Sequence, residues 1–489
     1  MATASTPPSA GQHPDQPPPQ KWTVIERGGF RYPPGLSLNL LFYLRRRFFK
    51  PSNPILLFEH LAATYGRIAH YKLGWQHIVF INHPEFIREV LVNHQQEMIK
   101  ERTQRRMKIL LGDGLITSEG AFHMRQRRIA APAFHRQRIA AYADVMVERA
   151  TLRRAGWHPG QSIDIGAEMM QLALEVVART LFNTDVTSDV LEINREVNVI
   201  MDLYNYLISL PLAEAYLYAP LPGLTRFRRA RARLDGVVHR IIADHRSRER
   251  AGDASDSGDL LSMLMASRDE EGGMTERSGM TDAQLRDEII TIFLAGYETV
   301  ANALTWTWLL LAQNPEAAQR FYDEVDQVLG GRAPTLEDLP QLRYTEMVFA
   351  ESMRIYPPAW AMGRQSTAPL ALGPYRFPAK TYFFFSQYVM QRDPEYFPDP
   401  LRFDPERFTP EAKAARPRFA YFPFGGGGRQ CIGESFAWME GVLILATIAQ
   451  KWRLSLLPDQ QIDVQPKITL RPKYPIHMRV EERWAALAY

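Results

Sequence analysis

The longest apolar stretch of the chain lies past its middle and predicts a helix that is buried all round. Residues 291–312 contain one charged side chain, Glu298. The stretch follows Thr281–Gln284, a capping-box sequence, and Pro315 stands just beyond its end. It is long enough to cross a bilayer, but a carboxylate in mid-span is costly in lipid and no second span accompanies it. We therefore predict a central helix, roughly 281–313, in a large core.

Helical periodicity dominates the chain from about 121 to 311, and short strands alternate with turns in the last third. No linker separates the two parts. This order predicts one mainly helical α+β domain over residues 31–489, with a long central buried helix and small β-sheets. The predicted elements include a basic helix at 227–249, a hairpin at 68–73 and 77–82, and strands at 375–377, 381–385, 467–470 and 476–480.

The N-terminal segment differs from the rest in composition. Six prolines and no apolar run occur in residues 1–20, so residues 1–30 are predicted to form a Pro-rich disordered tail without a secretory signal. The segment 36–50 is apolar first and then basic, and it is too short to span a bilayer. A packed helix is expected there, with peripheral membrane contact as the open alternative.

The composition is that of a globular protein, with 46% hydrophobic and 23% charged residues. A net charge of +4 gives no reason to expect a nucleic-acid partner. The chain has one cysteine, Cys431, so it forms no internal disulfide and fits a reducing compartment. We expect a cytoplasmic monomer.

The surroundings of that cysteine indicate chemistry. Residues 424–433 read FGGGGRQCIG and precede a strong helix pattern at 434–452. Glycines permit left-handed backbone and close approach of a flat partner. The helix N-terminus, together with Arg429, is expected to stabilise a Cys431 thiolate. A nucleophile needs a base that sequence cannot locate, and zinc needs further ligands, whereas haem iron needs a single axial thiolate.

This loop resembles the haem-binding signature of the cytochrome P-450 superfamily, F-x-x-G-x-R-x-C-x-G, at Phe424, Gly427, Arg429, Cys431 and Gly433. The resemblance is to soluble bacterial-type members and implies haem b as cofactor. It also implies that Cys431 is the metal ligand and that Arg429 contacts a haem propionate.

The central helix carries a second segment of this kind, Ala295-Gly296-Tyr297-Glu298-Thr299. Glycine inside a helix costs about 1 kcal/mol, and a buried carboxylate costs more. Either a functional groove or a helix that pairs Glu298 elsewhere explains the cost. The segment resembles the family's oxygen-activation motif, although Val300 replaces the second threonine of many relatives. The resemblance implies that Thr299 donates a hydrogen bond to dioxygen and that Glu298 supports proton delivery.

Two further sets of residues match the family. Glu351 and Arg354 are one helical turn apart and resemble its E-x-x-R motif, with Arg407 as third member of a buried structural network. By resemblance, haem propionates are bound by the side chains Arg364, Arg127 and His123.

The resemblance implies a monooxygenase that inserts one atom of dioxygen into an apolar substrate such as a fatty acid, terpenoid or steroid. Helices near 201–217 are expected to form a lid. Electrons are expected from a separate ferredoxin or flavodoxin with its reductase, docked near the Arg125–Arg138 cluster. The predicted pocket residues are Leu294, Ala295, Ala359, Trp360, Met362 and Thr469.

Two alternatives use the same cofactor. A haem-thiolate peroxygenase or isomerase needs no electron chain, but the Glu298–Thr299 pair argues against it. A non-catalytic haem-binding sensor or electron carrier would not need an apolar pocket.

Overall fold

Helices make up most of the chain, and four small sheets lie at its edges. The structure is a computed structural model, and it describes residues 23–36, 53–183, 195–197, 199–200, 222–251, 259–266 and 280–483. The α-helices described there are α1 (Ile55–Tyr65), α2 (Pro84–Arg88), α3 (Arg102–Arg106), α4 (Lys108–Leu111), α5 (Gly120–Ala130), α6 (Arg136–Ala155), α7 (Ile165–Phe182), α8 (Pro222–Arg250), α9 (Leu260–Ala266), α10 (Asp282–Gln313), α11 (Pro315–Leu329), α12 (Arg343–Ile355), α13 (Gln387–Met390), α14 (Pro410–Ala414) and α15 (Glu434–Ala449).

The strands are short and pair mostly in antiparallel fashion. They are β1 (Ile25–Arg27), β2 (Phe30–Tyr32), β3 (Ile68–Leu73), β4 (Gln76–Ile81), β5 (Met98–Lys100), β6 (Ser162–Asp164), β7 (Met362–Ser366), β8 (Leu370–Leu372), β9 (Tyr375–Phe377), β10 (Tyr382–Phe385), β11 (Trp452–Leu456), β12 (Val464–Pro466), β13 (Leu470–Pro472) and β14 (His477–Glu482). The sheet orders are β1-β2-β9-β8, β3-β4-β10-β7-β5, β11-β14-β6 and β12-β13.

Helix α10 is the predicted central helix. Its capping box is complete: Gln284 N–H donates to Thr281 Oγ1 (3.3 Å), and Thr281 N–H donates to Gln284 Oε1 (2.8 Å). Of the described helices, it alone is long and apolar enough to cross a membrane, yet 83% of its most apolar window is buried within the protein. The prediction of a core helix is therefore confirmed.

The packing of α10 explains the glycine in its middle. The helix packs against α7, α12 and α15. A Cβ atom on Gly296 would lie 3.0 Å from Val177 of α7, which is too close for an ordinary contact. The helix is continuous through this position, so Gly296 permits the close approach of α7 and does not break the helix.

Two parts of the sequence prediction change with the structure, and two others cannot be compared with it. Residues 25–32 form the hairpin of β1 and β2, so ordered structure begins before the predicted boundary at residue 31. The predicted strand at 467–470 is wrong, because residues 467–469 form the turn of the β12–β13 hairpin. The segment 36–50, beyond its first residue, and the lid region 201–217 lie outside the described residues.

Candidate active site

A large apolar cavity lies between α10 and the cysteine loop at 424–433. Its volume is about 320 Å³. Ala295, Gly296 and Thr299 of α10 line one wall, and Phe424, Cys431 and Gly433 line another. The loop and the central helix, which the sequence singled out separately, therefore share one cavity.

Cys431 stands two residues before Gly433, the N-cap of α15. Its backbone N–H donates to the carbonyl of Phe424 (3.0 Å), which closes the loop. The thiol is accessible from the cavity but enclosed by protein, and this burial raises the pKa of Cys431 to about 11. The Gly433 N–H and Arg127 lower the pKa, but they do not outweigh burial. The expected effect of the helix terminus is therefore present but smaller than that of burial, and the positive charge that lowers the pKa comes from Arg127 and not from Arg429.

The glycines of the loop have the expected backbone conformation and, in addition, a packing role that was not expected. Gly425 and Gly427 adopt left-handed conformations (φ +73° and +69°), as predicted. However, a Cβ on Gly427 would lie 1.9 Å from the carbonyl oxygen of Leu91, and one on Gly426 would lie 2.5 Å from Phe419. These glycines thus permit close packing of the loop on its own chain, and not only on a flat ligand.

One edge of the cavity is lined by cationic side chains. Arg127, Arg364 and Arg429 reach it as predicted, and His123 lies beside them. Arg364 is buried, and among the described residues it has no ion-pair partner. Burial and the neighbouring Arg429 together lower the pKa of Arg364 to about 10. Burial also lowers the pKa of His123 to about 3, so this imidazole is neutral, and its Nε2 has no hydrogen-bond partner in the described structure.

Lys100 is a further basic side chain at this edge, and the sequence analysis did not single it out because it only ends a short apolar segment. It ends β5, is buried, and donates from Nζ to the carbonyls of Leu115, Ile116 and Ser118. Burial and Arg429 lower its pKa to about 6. Glu119 is the nearby counter-charge: it forms an ion pair with Arg429 and accepts the Lys100 N–H.

The two candidate functional residues of the oxygen-activation segment, Thr299 and Glu298, lie in different surroundings. Thr299 lines the cavity, and its hydroxyl donates to the carbonyl of Ala295 (2.7 Å). Glu298 is buried on another side of α10, where its Oε1 lies 2.7 Å from Arg471 Nη2 and accepts a hydrogen bond from Thr469. The structure thus pairs Glu298 with β13, and its part in proton delivery stays a prediction.

The structure brings together the predicted Glu351–Arg354–Arg407 network, in which Glu351 and Arg354 are fully buried and Arg407 is partly buried. Arg354 Nε lies 2.6 Å and Nη2 2.8 Å from the carboxylate oxygens of Glu351. Arg407 Nε approaches the same carboxylate at 3.5 Å. Arg354 also donates to the carbonyls of Gln391, Pro400 and Arg402. The network therefore ties α12 to the segment that leads into the cysteine loop.

Only part of the predicted substrate pocket lines this cavity. Ala295, Ala359 and Met362 do. Trp360 instead packs near Phe58 and donates to the carbonyl of Lys467. Leu294 belongs to the apolar core, and Thr469 is engaged by Glu298. The sequence missed Leu181, Thr291 and Ile292, which line the cavity from α7 and α10.

Comparison with known protein families decides what this arrangement is. The family model described as Cytochrome P450 matches residues 32–479. The chain belongs to the cytochrome P450 family. The predicted family, mainly helical fold and haem-dependent monooxygenase class are thereby confirmed.

Individual relatives of this cytochrome P450 come from Streptomyces. Cyclooctatin synthase of Streptomyces melanosporofaciens is 41% identical over 422 residues, which cover 86% of this chain and 90% of the relative. Cyclooctat-9-en-7-ol 5-monooxygenase of the same species is 37% identical, covering 81% and 84%. Pentalenene oxygenase of Streptomyces avermitilis is 35% identical, covering 87% and 92%.

The residues of this cytochrome P450 fit the family's haem-thiolate cofactor. The cavity offers one thiol at the centre of an apolar wall. At its edge, Arg429 lowers the pKa of both Lys100 and Arg364, and Glu119 is the carboxylate that pairs with Arg429. Two propionates would supply further negative charge, and the unpartnered Nε2 of His123 would have an acceptor.

A buried carboxylate beside the cavity gives a pH-dependent prediction. Glu288 of α10 is fully buried and accepts the Leu115 N–H (3.0 Å); burial raises its pKa to about 7. Its folded pKa exceeds its unfolded value, so the native state binds more protons between pH 4.5 and about 7, and stability falls as pH rises through this window. The loss is on the order of 3 kcal/mol. We expect Glu288→Gln, which keeps an acceptor for Leu115, to gain stability relative to the parent across this window in urea unfolding. A difference that is constant from pH 4.5 to 8 would contradict this.

Proposed function

We propose that this cytochrome P450 hydroxylates a terpenoid, with Cys431 as the axial ligand of its haem. One observation carries the proposal: Cys431 and Thr299 line the same apolar cavity from opposite elements. Apolar lining suits a hydrocarbon skeleton. The names of the relatives cyclooctat-9-en-7-ol 5-monooxygenase and pentalenene oxygenase favour a terpenoid over a fatty acid or steroid.

The haem-thiolate group, when bound, supplies activation of dioxygen. The protein supplies the rest. Arg127, Arg364 and Arg429 would hold the propionates by charge-assisted hydrogen bonds, with Lys100 and His123 beside them. Thr299 holds a proton at Oγ1 within the cavity. The apolar wall excludes bulk water, so that protons can enter the cavity only by transfer through specific protein groups. Glu298 is paired with Arg471. It would influence proton delivery through its neighbour Thr299 and not by contact with the substrate.

Electrons are proposed to come from a separate ferredoxin or flavodoxin with its reductase. The docking surface that we propose comprises Arg125, Arg128 and Arg138 on α5 and α6. Arg127 of the same cluster is directed to the cavity instead. Complementary charge speeds such encounters at low salt. Reduction rates that do not change with ionic strength would argue against this surface.

The function is tested by product formation. Haem-loaded protein is incubated with a ferredoxin, its reductase, NADPH, labelled dioxygen and a panel of terpenes, fatty acids and steroids. We expect oxygenated terpenoids carrying one labelled atom, formed only with the electron donors. Product that requires hydrogen peroxide alone would indicate a peroxygenase, and product from fatty acids or steroids alone would overturn the substrate class.

The role of Thr299 is tested with a matched variant on the same helix. Thr299→Ala removes the proton-bearing hydroxyl from the cavity, so we expect product formed per NADPH to fall on the order of 10²-fold. Thr305 makes the same helical hydrogen bond, to Ala301 (2.7 Å), but does not line the cavity. Thr305→Ala should leave the yield of product per NADPH unchanged. Equal losses in both variants would show a general effect on α10 and would remove Thr299 from the mechanism.

A further inference from the structure

A second pocket lies outside the haem cavity and is lined mainly by basic side chains. Its volume is about 570 Å³. Four of the seven described residues that line it are cations, namely Arg102, Arg105, Arg106 and Lys108. No carboxylate belongs to this described lining. Haem binding, substrate oxidation and the proposed docking surface do not involve these residues. We call this feature the cationic pocket.

The five-stranded sheet separates the cationic pocket from the haem cavity. Tyr382 of β10 lines the pocket and pairs with Gln365 of β7. Paired residues of a sheet point to the same face, whereas successive residues of a strand point to opposite faces. Arg364, which precedes Gln365 in β7, lines the haem cavity. The pocket therefore lies on the outer face of the sheet, and the haem cavity lies on the inner face.

Helix α3 supplies most of the charge of the pocket. Arg102, Arg105 and Arg106 are spaced i, i+3 and i+4, so they project from one face of the helix. Lys108 of α4 joins them. Gln104 lies between these arginines in sequence, but it lines the haem cavity. The cationic face of α3 thus faces the pocket and not the haem cavity.

The positive charge of this wall is only partly balanced by acids. Lys108 forms an ion pair with Asp113, in which both side chains are about half exposed. Arg105 donates from Nη2 to Gln365 Oε1 (2.8 Å), which is a neutral acceptor. Glu101 is the N-cap of α3, and its carboxylate accepts backbone N–H groups at the start of the helix. The described residues therefore supply more cations than carboxylates around the pocket.

The burial of Arg106 distinguishes the pocket from a set of surface charges. This arginine is 6% exposed although it lines the pocket. Taking a cation out of water costs free energy that acceptors around it must offset, and an anion in the pocket would add to them. Arg102, by contrast, is exposed. The cations thus extend from the solvent into the protein.

We propose that the cationic pocket binds a diphosphate group, either free or on a small organic molecule. Guanidinium groups donate pairs of N–H bonds to phosphate oxygens, and three of them on one helix face suit a group with several charges and many acceptor oxygens. A single carboxylate would leave most of these donors unused. Ile109 and the ring of Tyr382 also line the pocket and would contact an organic part. This site goes beyond terpenoid oxidation and does not depend on it.

Binding is measured by isothermal titration calorimetry on haem-loaded protein at constant ionic strength. The probes are inorganic pyrophosphate, inorganic phosphate and acetate. We expect pyrophosphate to bind about tenfold more tightly than phosphate, because it can accept at least one more charge-assisted hydrogen bond. Acetate should bind more weakly still. Geranyl diphosphate distinguishes the two sources of the group: an affinity equal to or above that of pyrophosphate indicates an organic ligand, and a weaker one indicates the free ion.

Two arginines that undergo the same change of charge provide the control. Arg102→Gln removes a cation from the pocket at an exposed position, and we expect pyrophosphate to bind about tenfold more weakly. Arg376→Gln removes an exposed cation from β9, in another sheet, and should leave the dissociation constant unchanged. Without ligand, both variants should melt at the parent temperature. Pyrophosphate should raise the melting temperature of the parent and of Arg376→Gln more than that of Arg102→Gln.

The proposal is overturned if pyrophosphate gives no heat of binding and leaves the melting temperature of the parent unchanged. It is also overturned if the two variants weaken binding equally, since equal losses indicate general attraction to a basic protein. A change in the haem absorption spectrum on addition of pyrophosphate would place the anion in the haem cavity and would likewise overturn it. None of these measurements involves a terpenoid, so a negative result here leaves the proposed function intact, and a negative product assay does not bear on the cationic pocket.

Discussion

Replacing Cys431 by serine is expected to abolish the red-shifted ferrous carbon monoxide band and all oxygenation of substrate. Serine keeps the backbone of the loop, including the N–H that donates to Phe424. Its alkoxide is far harder to form than a thiolate, and the chain has no other cysteine that could replace Cys431. The measurement is the carbon monoxide difference spectrum of protein expressed with haem supplied.

A second variant separates ligand loss from loss of the fold. Cys431→His offers a nitrogen ligand at the same position, so we expect haem to be retained with a carbon monoxide band at shorter wavelength. Circular dichroism of both variants should match that of the parent. A serine variant that keeps the parent band would show that Cys431 is not the ligand, and the proposed function would lose its basis.

Replacing Arg354 by alanine is expected to cost about 3–5 kcal/mol in the free energy of unfolding. The change leaves the fully buried Glu351 carboxylate with only Arg407 and the Asp404 N–H as partners. It also strips a donor from the carbonyls of Gln391, Pro400 and Arg402. Urea unfolding should show a lower midpoint with an unchanged slope. We also expect weaker haem retention, because this segment leads into the cysteine loop.

The same helix provides a control for the Arg354 experiment. Glu346 of α12 forms an ion pair with Lys413 at 3.3 Å, with both side chains about half exposed. Glu346→Ala should cost less than about 1 kcal/mol, since water screens and replaces an exposed pair. The contrast tests burial as the cause, because both pairs involve α12. Equal losses in the two variants, or a loss below 1 kcal/mol for Arg354→Ala, would contradict a buried structural network.

The environment of the cysteine shows where local reasoning fails. A helix N-terminus and a nearby arginine argue for a thiolate, yet enclosure of the sulfur raises the pKa of Cys431 to about 11. Arg429 is instead occupied by Glu119, which precedes α5. The desolvation of the sulfur depends on every element packed around it. It therefore cannot be predicted from the residues adjacent to position 431 alone.

The sequence by itself determined the features that depend only on residues close together in the chain. The capping box and apolar run of α10, the E-x-x-R pair on one helical turn, and the cysteine loop ahead of α15 are all written in contiguous segments, because helix periodicity and capping act over a few residues. The cofactor and the reaction class were implied by the resemblance of these segments to the motifs of the family.

The tertiary structure alone decided which side chains meet across long separations. It turned Lys100 inward to the cationic edge, and it paired Glu298 with Arg471 on a distant hairpin. It also packed the Thr291 hydroxyl against Gly114, where this buried oxygen has no hydrogen-bond partner in the described structure. These outcomes depend on how elements distant in sequence pack, and burial and hydrogen-bond satisfaction are properties of that packing and not of any local pattern.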